Sequence, residues 1–156
     1  MPRHVLKRVM PFTPGELFQL VGDVERYPEF VPWVTGMRTW NQRVDIDGAS
    51  VVDAEASVGF AFLREKFATR VIRDPGDHSV EVDLLRGPFR HLKNCWRFAP
   101  HPSGTEIEFM IDYEFKSRFL QAMLEANFDR AVDRLIGCFQ RRAETLYGPA
   151  AKSRPA

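Results

Sequence analysis

The chain has 156 residues, of which 44% are hydrophobic, so it is long and apolar enough for one domain with a sizeable core. Its 22 Lys and Arg residues balance 21 Asp and Glu, so the overall charge gives no indication of a DNA partner. We find no apolar run of membrane-spanning length and no secretory signal at the start, which favours a cytoplasmic protein. Cys95 and Cys138 lie in apolar patterns, so we expect them to be buried and reduced.

The first elements are a strand and a short helix. Residues 3–10 alternate loosely and predict a strand that ends at Pro11. Thr13 can cap a helix and Pro14 can open it, so we expect a short helix over residues 16–21.

The next segment, residues 23–34, contains Pro28 and Pro32, which exclude one continuous helix. It carries three large aromatic residues, Tyr27, Phe30 and Trp33. We expect a short helical turn followed by extended chain that covers part of the core.

Period-two alternation then predicts the remaining strands. The first runs from Met37 to Ile46 before the Asp47-Gly48 turn, and others follow over 52–60, 63–71, 80–84, 92–98 and 107–115. One face of the second predicted strand in this series carries Val52, Ala54, Ala56, Val58 and Phe60. The matching face of the next carries Leu63, Glu65, Phe67, Thr69 and Val71. The acidic outer faces of the strands are expected to be solvated.

The last long element is a predicted helix from Ser117 to Tyr147. Apolar residues recur in steps of four and three, Ser117 can cap the start, and Gly148 followed by Pro149 is a stop signal. Its wide apolar face indicates packing on a curved sheet. Mid-helix Gly137 costs about 1 kcal/mol relative to Ala, which indicates either close packing or a bend.

The predicted fold class is therefore α+β: a seven-stranded curved antiparallel sheet wrapped around a long C-terminal helix. Residues 1–148 form the single predicted domain, and 149–156 read as a disordered tail.

The residues on the inner face of the sheet raise the question of whether a cavity lies between the sheet and the helix. Ala54 and Ala56 are small where neighbouring strands carry Phe67, Trp96 and Phe109, although alternating sizes also occur in fully packed cores. Four polar residues fall on the predicted inner face: Glu65, Thr69, Asn94 and Tyr113. They would line a pocket, pair with one another, or point outward if the register slipped by one residue.

Catalytic and metal-binding patterns are poorly represented. The four histidines show no metal-ligand spacing, and the sequence has no Gly-x-Ser-x-Gly elbow, phosphate-binding glycine loop or Cys-x-x-Cys pair, so we expect no metal, cofactor or catalytic residue. The late helix carries a basic set, Arg130, Arg134, Arg141 and Arg142. These arginines suit the negative end of the helix dipole, or form a docking surface for acidic lipid or RNA.

Several motifs together resemble the coenzyme Q-binding, START-like family of the polyketide cyclase/dehydrase-like superfamily, which includes ribosome-association toxin relatives. The matching motifs are Tyr27-Pro28-Glu29-Phe30, Pro32-Trp33, Phe67-x-Thr69-Arg70, Gly87-Pro88-Phe89, Leu92-x-x-x-Trp96-x-Phe98, Tyr113-Glu114-Phe115-Lys116-Ser117 and the end of the helix. The resemblance covers nearly the whole chain and implies a helix-grip fold around a lipophilic cavity.

The resemblance also implies a function: non-catalytic binding of ubiquinone by a carrier that supports respiratory electron transport. A peripheral contact with the membrane would fit this function. Asn94 and Tyr113, with Thr69 behind them, are the expected donors to the quinone carbonyls. Phe60, Phe67, Trp96 and Phe109 would line the walls, and Leu124 and Phe128 the roof. A mobile rim is expected at Phe30, Val31 and Trp33.

Two other functions stay open at this point. One is a ribosome-directed toxin that interferes with the joining of ribosomal subunits, which would need a surface for RNA or ribosomal protein. The other is a cyclase or aromatase of the same fold, for which only Glu65 and Tyr113 could supply acid-base chemistry.

Overall fold

The computed structural model of the protein describes residues 3–60 and 63–148, without the side chains of Phe60 and Leu63. The predicted tail, 149–156, lies outside the described residues. Within the described part, every helix is too short or too polar to cross a lipid bilayer.

Seven strands form one antiparallel sheet, as the alternation predicts. They are β1 Arg3–Met10, β2 Val34–Val44, β3 Ser50–Phe60, β4 Leu63–Asp74, β5 Ser79–Arg86, β6 Phe89–His101 and β7 Gly104–Phe115. Their order across the sheet is β1-β7-β6-β5-β4-β3-β2. The helices are α1 Pro14–Gly22, α2 Arg118–Ala126 and α3 Phe128–Tyr147, with a 3₁₀ helix at Val24–Glu29. The predicted fold class is confirmed.

Helix α1 begins where its capping residues predict. The Thr13 hydroxyl accepts from the Glu16 backbone N–H at 3.1 Å, and the Glu16 carboxylate accepts from the Thr13 backbone N–H at 3.0 Å. At the other end of α1, the Arg73 guanidinium donates to the Gly22 carbonyl at 3.0 Å, which places a cation at the negative end of the helix. These contacts fix α1 across one end of the sheet.

The end of β2 differs from the prediction. The strand stops at Val44, and Ile46 is fully exposed instead of lying in the strand. The Asp45 carboxylate accepts from the Asp47 backbone N–H at 2.7 Å, and its carbonyl accepts from the Gly48 N–H at 3.0 Å. Because Asp45 supplies these turn contacts, the chain leaves the strand before Ile46.

The register of β3 and β4 confirms which face points toward the helices. Val52 pairs with Val71, Ala54 with Thr69, and Ala56 with Phe67. We call this the concave face, because α3 packs against it. Glu65 lies on the same face as Phe67, since strand residues two apart share a face. The predicted polar set is therefore not a register error.

At one end of the concave face the core is filled. Val71, Val80 and Phe109 are at most 2% exposed there, beneath side chains of α1 and α3. We call this region the closed end; its sheet residues are Val52, Val71, Val80, Trp96, Ile107 and Phe109. Cys95 and Cys138 are buried free thiols, as predicted.

The single long C-terminal helix that the sequence predicts is interrupted. Asn127 has φ −119° and ψ 15°, outside the helical region, and separates α2 from α3. Its side-chain amide donates to the Met123 carbonyl at 2.8 Å, in place of the backbone N–H of a continuous helix. The Asn127 N–H bonds instead to the Leu124 carbonyl at 3.1 Å. This competition explains the break.

The convex face, opposite the helices, is not simply solvated. Asp53 lies there but is only 4% exposed, because Arg70, Arg43 and Asn41 surround it. The Arg70 Nε lies 3.0 Å from the Asp53 carboxylate. The hydrogen bond from Arg70 holds the pKa of Asp53 below its usual range. The prediction of a solvated acidic strand face is therefore wrong for this residue.

Candidate functional site

The concave face is less completely covered at the end opposite α1. Leu84 of β5, Leu92 of β6 and Ile111 of β7 are only half-buried, although their strands have neighbours on both sides. Leu84 pairs with Thr69 and Leu92 with Tyr113, so these side chains share the concave face. We call this region the open end; it consists of Phe67, Leu84, Leu92, Ile111 and Phe115.

An aromatic row forms one border of the open end. The rings of Phe67 and Phe89 meet edge to face with centroids 5.5 Å apart, and Phe89 stacks on Phe115 at 4.5 Å. Gly87 permits this arrangement, because a Cβ there would lie 2.5 Å from the Phe67 Cβ and its φ is +154°. The Gly87-Pro88-Phe89 motif thus has a packing role beside the site.

Two of the predicted ligand donors are already bonded within the protein. The Asn94 side-chain amide donates to the Met110 carbonyl at 2.8 Å, and its oxygen accepts from the Trp96 indole N–H at 2.8 Å. The Tyr113 hydroxyl donates to the Glu125 carboxylate at 2.6 Å. A ligand would have to displace these partners to use either residue.

Thr69 differs from those two residues. It is 6% exposed, lies on the concave face between Ala54 and Leu84, and makes no side-chain hydrogen bond to any described residue. Glu65, half-buried further along β4, has no ion-pair partner among the described residues. The polar groups of the predicted set that have no described hydrogen-bond or ion-pair partner are therefore on β4.

Helix α2 is tethered to β7 beside the open end. Gln121 accepts from the Phe115 backbone N–H at 2.8 Å, and Glu125 accepts from Tyr113. The His4 imidazole stacks on Phe128, with centroids 3.7 Å apart, and its Nε2 lies 3.6 Å from the Glu125 carboxylate. Burial, followed by the hydrogen bond to Glu125, raises the pKa of Tyr113, so the phenol stays protonated.

A pocket of about 320 Å³ opens at the junction of α2 and α3. It is lined by His4 and by residues 125–130. Within the described residues, no group of three or more His, Cys, Asp and Glu side chains is placed to hold a metal ion.

The predicted wall and roof residues fall into two groups. Phe67 lies at the open end and is half-buried, as is Leu124 of α2, which packs against the core. Trp96, Phe109 and Phe128 belong to the filled core, at 4%, 2% and 7% exposure. The side chain of Phe60 lies outside the described residues. The structure thus brings only part of the predicted site to accessible surface.

Of the predicted rim residues, Phe30 is packed on α3. Phe30 contacts Phe139 edge to face at 5.2 Å, and the Arg142 guanidinium lies 5.2 Å from the Phe30 ring centroid. Val31 is 0% exposed, whereas Trp33 is half-buried.

Sequence reasoning missed Leu84, Leu92, Ile111 and Phe115 as candidate site residues. Alternation assigns them to the concave face but does not show which part of that face α2 and α3 leave uncovered.

Comparison with known proteins shows the family. Residues 10–140 match the model of the family described as polyketide cyclase/dehydrase and lipid transport. The chain belongs to this family. The resemblance inferred from the sequence motifs is thereby confirmed.

Two relatives in this family have different names. The ribosome association toxin RatA of Rickettsia prowazekii is 32% identical over 142 residues, which cover 89% of this chain and 94% of the relative. The mitochondrial coenzyme Q-binding protein COQ10 homolog B of Xenopus laevis is 29% identical over 146 residues, covering 90% of this chain and 57% of that protein. Neither name is that of an enzyme.

A solved structure supports the same fold. The solution structure of an 18 kDa protein from Caulobacter crescentus shares 60% sequence identity and superposes with a TM-score of 0.80. The match covers 95% of this chain and 99% of that protein.

Proposed function

We propose that the protein binds ubiquinone without catalysis, in the open end of the concave face, and acts as a quinone carrier or chaperone that supports respiratory electron transport. The observation that carries this proposal is that Leu84, Leu92 and Ile111, on central strands, are only half-buried. Partly exposed apolar side chains beside an aromatic row are the lining expected of a binding site for a lipophilic molecule. The similarity to a coenzyme Q-binding protein supports the choice of ligand.

The polyprenyl tail accounts for most of the expected binding energy. Each CH₂ group withdrawn from water contributes about 0.8 kcal/mol, so a few isoprene units on the open end outweigh the cost of ordering the tail. Phe67, Leu92 and Phe115 provide half-buried side chains for this contact.

Thr69 is the donor that we assign to a quinone carbonyl. Its hydroxyl is on the concave face and has no described partner, whereas Asn94 and Tyr113 are occupied. One hydrogen bond contributes about 1 kcal/mol, so Thr69 would orient the ring more than it would hold the ligand.

The test is to purify the protein from a quinone-producing host, extract it with organic solvent and quantify quinones by mass spectrometry. We expect near-stoichiometric ubiquinone in the wild type and about tenfold less in the double variant Phe67→Ala, Leu92→Ala, because each side chain loses apolar contact. Trp40→Ala is the matched control, since Trp40 is a half-buried aromatic on the convex face, between the guanidiniums of Arg38 and Arg86. A quinone-free extract from folded wild-type protein would contradict the proposal.

A second candidate is association with the ribosome, which the similarity to RatA over 94% of that protein favours. Arg130, Arg134 and Arg141 are exposed on α3, and none is ion-paired with a described residue. If the protein has this function, the wild type co-sediments with ribosomal subunits. Replacing the three arginines by Gln should abolish co-sedimentation, whereas Phe67→Ala should not. Absence of co-sedimentation would exclude it.

A further inference from the structure

The way in which α2 is attached leaves Phe119 exposed. Helix α2 contacts β7 through Gln121 and Glu125, and Leu124 packs against the core. These three residues lie on one edge of the helix, because successive residues are separated by about 100° around its axis. No residue of α2 is buried.

Phe119 and Met123 lie on the other edge of α2, four residues apart. Phe119 is 64% exposed and has no ring contact with another described aromatic residue. A helix with one apolar side usually buries that side against its own domain. Helix α2 does so only in part, because Leu124 packs against the core while Phe119 stays exposed.

Two basic residues precede Phe119 in the sequence. Lys116 and Arg118 are exposed, and neither forms an ion pair with a described residue. The nearby acids have partners: Glu114 lies 3.7 Å from Arg90, and Glu125 accepts from Tyr113. Lys116, Arg118 and Phe119 thus form a small surface with one large apolar side chain and two unneutralised positive charges, which we call the α2 tip.

We infer that the α2 tip docks on an anionic lipid bilayer, with Phe119 inserted at the headgroup boundary and Lys116 and Arg118 against lipid phosphates. An exposed aromatic beside basic residues on an amphipathic helix suits this surface in both shape and charge. The inference rests on the proposed function, since α2 borders the open end and a ligand that is insoluble in water must pass between bilayer and protein at that place.

Vesicle flotation tests the inference. The purified full chain is mixed with vesicles of phosphatidylcholine, with or without phosphatidylglycerol, and the bound fraction is measured. We expect binding that depends on phosphatidylglycerol and weakens with salt. Phe119→Ser should weaken it about tenfold, and Lys116→Gln with Arg118→Gln about tenfold or more.

Matched control variants distinguish docking through the α2 tip from nonspecific adsorption to vesicles. Ile46→Ser removes a fully exposed apolar side chain at the β2–β3 turn, and Arg130→Gln with Arg134→Gln removes two exposed charges from α3. Both control variants should bind vesicles like the wild type.

Two results would overturn the inference. One is a wild type that carries quinone but does not float with anionic vesicles, which leaves the proposed function intact. The other is a wild type that dimerises in sedimentation velocity through Phe119, with Phe119→Ser monomeric, which assigns the α2 tip to a second copy. Vesicle binding by a protein whose extract contains no quinone would support docking through the α2 tip and would reject ubiquinone as the ligand.

Discussion

The closed and open ends of the concave face are built from the same strands with the same alternation, yet only one of them is a core. Val80 and Phe109 at the closed end are at most 2% exposed, whereas Leu84 and Leu92, a few residues along the same or the next strand, remain half-buried. The difference lies in what covers them. Side chains of α1 and α3 fill the closed end, while α2 beside the open end buries none of its own residues. Alternation therefore gives the strands an apolar face, and the position of the helices determines which part of that face is fully buried and which part stays partly exposed.

Truncating one apolar residue at each end gives the largest expected contrast. Phe109→Ala should lower the free energy of unfolding by about 3–5 kcal/mol, because Phe109 is buried against Trp96 with ring centroids 4.8 Å apart. Leu92→Ala should cost about 1 kcal/mol, since part of that side chain is already in water. Urea unfolding monitored by circular dichroism measures both. Equal losses would mean that the open end is packed like the closed end.

A pair of threonines makes the same comparison with polar groups. The Thr105 hydroxyl, 0% exposed, donates to the Phe12 carbonyl at 2.6 Å. Thr105→Val leaves that carbonyl without its partner and should cost about 1–3 kcal/mol of unfolding free energy. Thr69→Val should change stability by less than about 0.5 kcal/mol and weaken quinone retention about fivefold. Thermal melts and quinone extraction distinguish them; quinone loss confined to Thr105→Val would reject Thr69 as the donor.

Two tyrosines connect the comparison to pH. Burial is the main cause that raises the pKa of Tyr27, whose hydroxyl donates to the Val21 carbonyl, and it also raises the pKa of Tyr113. The stability due to a raised pKa is complete below the unfolded value of about 10 and is lost as pH rises above it. Stability should therefore fall above about pH 10.

Phe substitutions separate the two tyrosines. Tyr27→Phe and Tyr113→Phe should each reduce that alkaline slope. Only Tyr113→Phe should also loosen α2 on β7, because it removes the hydrogen bond to Glu125 and leaves the one from the Phe115 N–H to Gln121. Urea titrations between about pH 8 and pH 11, a range that spans the ordinary tyrosine pKa, measure the slope. An unchanged slope in both variants would contradict the assignment.

A small effect is also expected at Gly137 of α3, which touches neither end. Helix α3 is continuous through it, and an added Cβ would contact only the mobile end of Arg141, at 3.3 Å. Close packing does not account for this glycine, so Gly137→Ala should raise stability by about 1 kcal/mol. Gly87→Ala is the control of opposite sign, because its Cβ would collide with Phe67. A destabilised Gly137→Ala protein would show that the outer side of α3 is covered in solution.

Most of the fold could be predicted because its signals are local. Alternation fixed the strands and their faces, and Thr13, Pro14 and Ser117 marked helix starts that the structure shows. The helix break at Asn127 was missed because the apolar steps continue across it, and a side-chain bond to Met123 leaves no trace in that pattern.

The candidate site was harder to predict than the fold. The residue types were suitable, but the partners that occupy Asn94 and Tyr113 are set by tertiary contacts between β6, β7 and α2. Asp53 shows the same limit on the convex face, where guanidiniums from β2 and β4 cover a carboxylate that alternation assigns to solvent.

The Asn127 break has a consequence for local unfolding. Helix α3 buries Phe128, Val132, Ile136 and Phe139, so its central amides can exchange with solvent only when most of the domain opens. Helix α2 can detach at Asn127 without disturbing those contacts, and its amides should exchange with deuterium through a local opening that is largely independent of global stability. The C-terminal segment thus contains two units of different cooperativity, with the boundary at a single asparagine.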